Sequence, residues 1–191
     1  MSYDLLFSLV NLSVIPAWAL LILAPKWSGT EKLVHSMFYP LLLGAVYIGG
    51  MVMAAMGHGA EGGGFTSIDG VRTLFSSDVG MVIGWTHYLV FDLFVGAWEA
   101  RDAQRRGFNH WLLIPCLLLT FMLGPVGLLL YLVLRKVTGK GGWGLENGQA
   151  QFIITEEVTQ SIIIKIGSTV KTISPADSSN VKSRRDSRFK T

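Results

Sequence analysis

Four apolar runs constrain this chain more than any other feature: Leu5–Ala24, Val34–Met56, Val79–Trp98 and Trp111–Leu134. Each reaches or approaches the roughly 20 residues with which a helix crosses a hydrocarbon core of about 30 Å. Each also contains Pro or Gly, which a bilayer tolerates when neighbouring helices satisfy the freed backbone groups. Half of the 191 residues are hydrophobic and only 15% are charged, a polytopic membrane composition. The expected fold is therefore all-α. A four-transmembrane-helix bundle spans residues 1–138, a Gly-rich linker follows over 139–150, and a polar, basic and largely disordered tail occupies 151–191.

The first run has no Lys or Arg before it and no small-x-small cleavage site after Ala24, so it is expected to remain as a helix. Cys116, the one cysteine, leaves no intrachain disulfide or thiolate metal cluster to infer. The net charge of +3 comes from residues at helix ends and in the tail. This suits membrane flanks, so the expected partner is the lipid bilayer, with no nucleic acid. Four spans put both termini on one side. Arg72, Arg135, Lys136 and Lys140 then face Lys26, Lys32, Arg101, Arg105 and Arg106 across the membrane, and so even a split leaves orientation open.

Between the runs, Pro25 ends the first helix, and Lys26–Lys32 reads as a short loop. The connection Gly57–Ser77 begins Gly-rich. It then places Ile68, Val71 and Phe75 at i, i+3 and i+7, with Thr66 as a candidate start, which fits a short interfacial helix between helices two and three. Gly107 closes the third helix with a left-handed cap. Pro125 interrupts the fourth and frees a carbonyl one turn earlier.

The third run carries the chemistry. Trp85, His87, Tyr88, Asp92 and Glu99 lie within or at the end of a membrane-like segment. Ionisable groups at such depth are costly, so they usually face a bundle interior and mark a proton path or a reactive site. The plainer alternative is a set of polar groups that satisfy one another and hold helices in register. Asp78, Trp85, Asp92 and Glu99 are spaced by seven and share a helix face, which Tyr88 joins. His87 lies about 140° round from Asp92, so the two do not pair on this helix, and each needs a partner from elsewhere. His110 and the carbonyl freed before Pro125 are the first candidates. No two of the four histidines are closer than 23 residues, which argues against a di-iron site, and no metal or cofactor is expected. Walker A, dinucleotide and Gly-x-Ser-x-Gly patterns are absent from the sequence.

The segments Thr73-Leu74-Phe75-Ser76-Ser77-Asp78 and Trp85-Thr86-His87-Tyr88-Leu89-Val90-Phe91-Asp92-Leu93-Phe94 resemble the signature of the abscisic-acid-deficient-four-like membrane proteins. Val14-Ile15-Pro16, Leu23-Ala24-Pro25, His110 and Pro125-Val126-Gly127 match as well, and the resemblance covers roughly residues 5–137. Trp98 and Glu99 depart from the plant pattern. With no plastid transit peptide, the chain resembles a bacterial homologue, which implies a multi-pass protein of the bacterial cytoplasmic membrane.

Plant members are required to form neoxanthin from violaxanthin. The resemblance therefore implies an intramembrane isomerase, or an essential component of one, acting on a carotenoid or similar isoprenoid. Opening a 5,6-epoxide to an allenic alcohol is redox-neutral and needs an acid and a base, roles suited to His87 and Asp92. Trp85, Tyr88, Phe91 and Phe94 would line a groove for the hydrophobic carotenoid-like ligand, with His110 and Pro125 contributing from helix four. The alternative is a non-catalytic carotenoid- or lipid-binding accessory protein. A homo-oligomer or a partner enzyme is left open. A proton-linked transporter is weaker, since the sequence shows no pair of broken half-helices.

Overall fold

The computed structural model describes residues 2–144 and 159–165. Met1–Gly144 and Leu145–Thr191 are separate compact units. In the second, residues 159–165 are helical. The expected linker is thus described only as far as Gly144, and the rest of the linker and tail, apart from 159–165, lies outside the described residues.

The first unit is all-α, with seven α-helices among the described residues: α1 Tyr3–Leu23, α2 Ser28–Leu33, α3 Phe38–Met53, α4 Ile68–Leu74, α5 Asp78–Arg105, α6 His110–Leu123 and α7 Pro125–Val137. Three helical stretches are long and apolar enough to cross a membrane: Tyr3–Leu23, Ser28–His58 and Asp78–Arg105. Their starts follow from local chemistry. The side chain of Ser2 accepts from Leu5 N at the head of α1, and Ser77 accepts from Gly80 N at the head of α5, each satisfying an amide that has no partner within its helix. Gly107, at φ 59°, follows the last turn of α5 as expected.

Helix α5 is the central helix of the first unit. Its Leu89, Leu93 and Ala97 share a core with Val14, Trp18 and Leu21 of α1. Gly96 lies where any Cβ would strike the Trp18 ring. Asn11 of α1 is satisfied locally and across this interface: it donates to Phe7 O at 2.9 Å and accepts from Trp85 Nε1 at 2.9 Å.

The structure corrects the sequence reading in four places. Lys26–Lys32 is largely helix, not loop: α2 forms because Trp27 O accepts from Thr30 N and the Thr30 hydroxyl donates to Ala24 O at 2.6 Å. The second run breaks at His35–Met37 before α3, where Pro40 sits in the first turn and its missing N–H costs nothing. The predicted interfacial helix is present as α4, but its cap is Ser67, which accepts from Gly70 N at 3.0 Å, rather than Thr66.

The largest difference is in the fourth run, which is two helices. Pro125 cannot extend α6, and Gly124, at φ 46°, reverses the chain into α7. Gly127 then lies directly on the Cys116 and Thr120 backbone, where no side chain fits. Tyr131 packs on Phe108, 5.5 Å between ring centroids, and Arg135 reaches Asp102. Helix α6 therefore starts at the Asp102 end of α5 and turns beside Asp92. Helix α7 then comes back. With 14 and 13 residues, the arms measure about 20 Å each.

Candidate functional site on two faces of α5

One face of α5 meets the α6–α7 hairpin and carries four polar residues in a column. At the tip, the carboxyl of Asp92 lies against Gly124: a Cβ on that glycine would stand 2.8 Å from Asp92 Oδ1. Asp92 Oδ2 is enclosed without a hydrogen-bond partner among the described residues. Tyr88, one turn before, donates to Phe121 O at 3.4 Å. Phe121 O is the carbonyl that Pro125 frees by lacking an N–H, so the bundle satisfies it as the sequence requires. Lower down, Glu99 is completely buried. The Thr120 hydroxyl faces both of its oxygens, at 3.0 and 3.1 Å.

At the base of the column Asp102 is buried among donors. Its Oδ2 accepts from Tyr131 Oη at 2.7 Å, Arg135 Nη1 at 2.8 Å and Arg106 Nε at 2.7 Å. Arg135, also fully buried, donates through Nη2 to Gly142 O and, at 2.8 Å, to Gly144 O. A charge pair out of water is stable only when its remaining polar atoms are also bonded; Nη2 meets this, whereas Asp102 Oδ1 and Arg135 Nε have no hydrogen bond among the described residues.

The other face of α5 meets α3 and is built differently. Helical spacing puts Gly84, His87, Phe91, Phe94 and Arg101 on one stripe. His87 is exposed, with its ring 4.7 Å from Phe91 and 5.9 Å from Tyr47 of α3. Neither ring nitrogen has a hydrogen-bond partner among the described residues. On one side of His87 and Tyr47 lies a cavity of about 450 Å³ walled by Pro40, Gly44, Val90, Phe91 and Phe94. On the other lies one of about 370 Å³, walled in part by Met51, Ala54, Phe65 and Phe75. Tyr47 and His87 line both, so they form the waist of a two-lobed, largely apolar groove.

The expected site residues thus divide. Phe91 and Phe94 join His87 in the groove, whereas Trp85 turns to α1 and Tyr88 and Asp92 turn to the hairpin. His110 lies at the far end, donating to Ile22 O at 2.8 Å, and meets neither His87 nor Asp92. Pro125 stands at the hairpin tip beside Asp92.

A family model described as ABA DEFICIENT 4-like matches residues 5–131, from α1 through most of α7, and so includes both faces of α5. The chain belongs to the ABA DEFICIENT 4-like family. No curated protein and no solved structure matches it. For this ABA DEFICIENT 4-like chain, sequence reasoning missed Tyr47, Gly44 and Pro40 as groove walls, because an apolar run offers no signal of which neighbour a helix will meet. Glu99, which departs from the plant pattern, shares the hairpin face with Asp92, as their seven-residue spacing predicts.

Proposed function

We propose that this ABA DEFICIENT 4-like protein acts on a long isoprenoid of the carotenoid type, held in the α3–α5 groove, with His87 as the proton-transferring group. The observation that carries this reading is the imidazole itself: it is exposed in an apolar groove, with aromatic neighbours and no hydrogen-bond partner. An ionisable group placed so is expensive to keep, which marks it for function. In an epoxide-to-allene isomerisation a proton reaches the epoxide oxygen, the C–O bond opens to a hydroxyl, and a vinylic proton leaves as its electron pair forms the new double bond. His87 gives the first proton as imidazolium and takes up the vinylic proton as imidazole, so the ring ends as it began and no oxidant is needed. His87 touches the substrate in this scheme. Asp92, which faces the hairpin, acts as a positioning residue.

Reconstitution of the purified protein with an epoxy-carotenoid, followed by chromatography of the pigments, tests the reading. Turnover that falls about 100-fold or more in His87→Gln is expected of a general acid–base group. Full turnover in that variant overturns it. Pigment bound but unchanged favours the accessory-protein alternative, for which the separation of His87 from Asp92 speaks.

The hairpin also bears on orientation. If α1, α3 and α5 cross the membrane and α6–α7 re-enters without crossing, the fourth span disappears and the N-terminus and Gly144 lie on opposite sides. Lys26 and Lys32, Arg101, Arg105 and Arg106, and Arg135, Lys136 and Lys140 then share one face, and Arg72 alone marks the other. Eight against one puts the basic face in the cytoplasm. Membrane-impermeant labelling of single cysteines introduced at Ser2 and Gly139, in a Cys116→Ala background, should modify the first from outside and the second only after lysis. Labelling of both from one side restores four spans.

A further inference from the structure

The groove does not stop at its wider lobes. Pro40, Val90 and Phe94 also wall a narrow cleft of about 120 Å³, and this cleft shares His35 and Arg101 with a polar pocket of about 420 Å³ at the basic end of α5. The pocket is bounded by Lys26, Trp27, Glu31, Arg101, Gln104 and Arg105. Three cations thus face one carboxylate.

Their partners do not account for this charge. Arg101 reaches only His35 Nδ1, at 3.4 Å, and among the described residues neither Arg101 nor Lys26 has a carboxylate within ion-pair distance. Arg105 lies one turn from Arg101 and repels it. It is shared loosely with Asp102 at 3.7 Å. Two arginines and a lysine held together at the mouth of an apolar groove match a phosphate, whose oxygens guanidinium groups bind in pairs. The geometry adds a chain to that head group, because the groove leads from Arg101 towards His87, 14 residues or about 21 Å along α5.

We infer that the pocket of Lys26, Arg101 and Arg105 binds the phosphate head group of an amphiphile, an apolar chain of which lies in the α3–α5 groove. This rests on the groove of the proposed function but not on its chemistry. Geranylgeranyl phosphate, its neutral alcohol and inorganic phosphate serve as probes against the full chain in micelles of a non-ionic detergent. The phosphate should bind about thirtyfold more tightly than the alcohol, the gain expected from two interfacial cations. K26Q/R101Q should remove that gain and leave the alcohol unaffected, whereas Gly44→Leu, which has open space for its side chain, should weaken both chain-bearing probes. R101K, which keeps the charge, should retain part of the gain, and thermal unfolding checks that each variant is folded.

Adding phosphatidylglycerol identifies the natural source. Displacement of the probe, lost in K26Q/R101Q, supports the head-group site and assigns it to bilayer lipid. Failure to displace it supports the site for isoprenoid phosphates. Equal binding of phosphate and alcohol, no effect of K26Q/R101Q, or inorganic phosphate binding as tightly as the amphiphile would each overturn the inference. The ratio of phosphate to alcohol binding is read without turnover, so loss of turnover and loss of head-group binding remain separate results.

Discussion

The two faces of α5 spend their polar residues in opposite ways. Towards the hairpin, Glu99 and Asp102 are fully enclosed, and their oxygens meet hydroxyls and guanidinium groups from α6 and α7. Towards α3, His87 and Arg101 stand beside cavities and have few bonds of their own. Polar groups satisfied inside a bundle define its geometry, whereas polar groups left open to a groove remain available to a ligand. The face with more charge is therefore the scaffold, and the face with one imidazole at its waist is the better place for chemistry.

The sharpest way to break this contrast is at the base of the column. Arg135→Ala leaves Asp102 buried without its innermost counter-charge and should cost about 3–5 kcal/mol, the loss typical of a buried pair cut on one side. Chemical unfolding in detergent measures it, and a change below 1 kcal/mol would mean that the hairpin is not fastened there. Thr120→Val removes the hydroxyl that serves Glu99 and should cost about 1–3 kcal/mol. Glu99→Gln keeps an acceptor for Thr120 and should cost less than Thr120→Val. If the order reverses, the charge of Glu99, not its hydrogen bond, is what the bundle uses.

On the groove face the same measurement should barely move. His87→Gln and Gly44→Leu touch no satisfied polar group, and each should shift stability by no more than about 0.5 kcal/mol while turnover and ligand binding respond. A destabilisation as large as that of Thr120→Val would place His87 among the scaffold residues.

Much of this division was legible in the sequence. The seven-residue spacing of Asp92 and Glu99, and the angle between Asp92 and His87, are helix geometry and needed no partner to be read. The freed carbonyl before Pro125 was foreseeable too, and Tyr88 takes it. The hairpin was not. Gly124-Pro125 inside 24 apolar residues reads equally as a kinked span or as a reversal. What decides between them is tertiary: Gly127 fits against Thr120, and Arg135 finds Asp102. The basic pocket was hidden for the same reason. Lys26 and Arg101 are 75 residues apart, and only the packing of the α1–α2 turn beside the end of α5 brings them together.

The short arms of α6 and α7 also imply an order of biogenesis. A segment of about 20 Å cannot rest across a bilayer on its own while the ribosome continues, so the hairpin has no stable lodging until α5 is in place to receive it. Asp102 enters the membrane 33 residues before Arg135 is made, and for that interval its carboxyl lacks its innermost counter-charge. The last turn of α7 thus completes the scaffold: chains cut short before Arg135 would leave the Asp102 carboxyl with Arg106 as its one close counter-charge, and finished chains add the second.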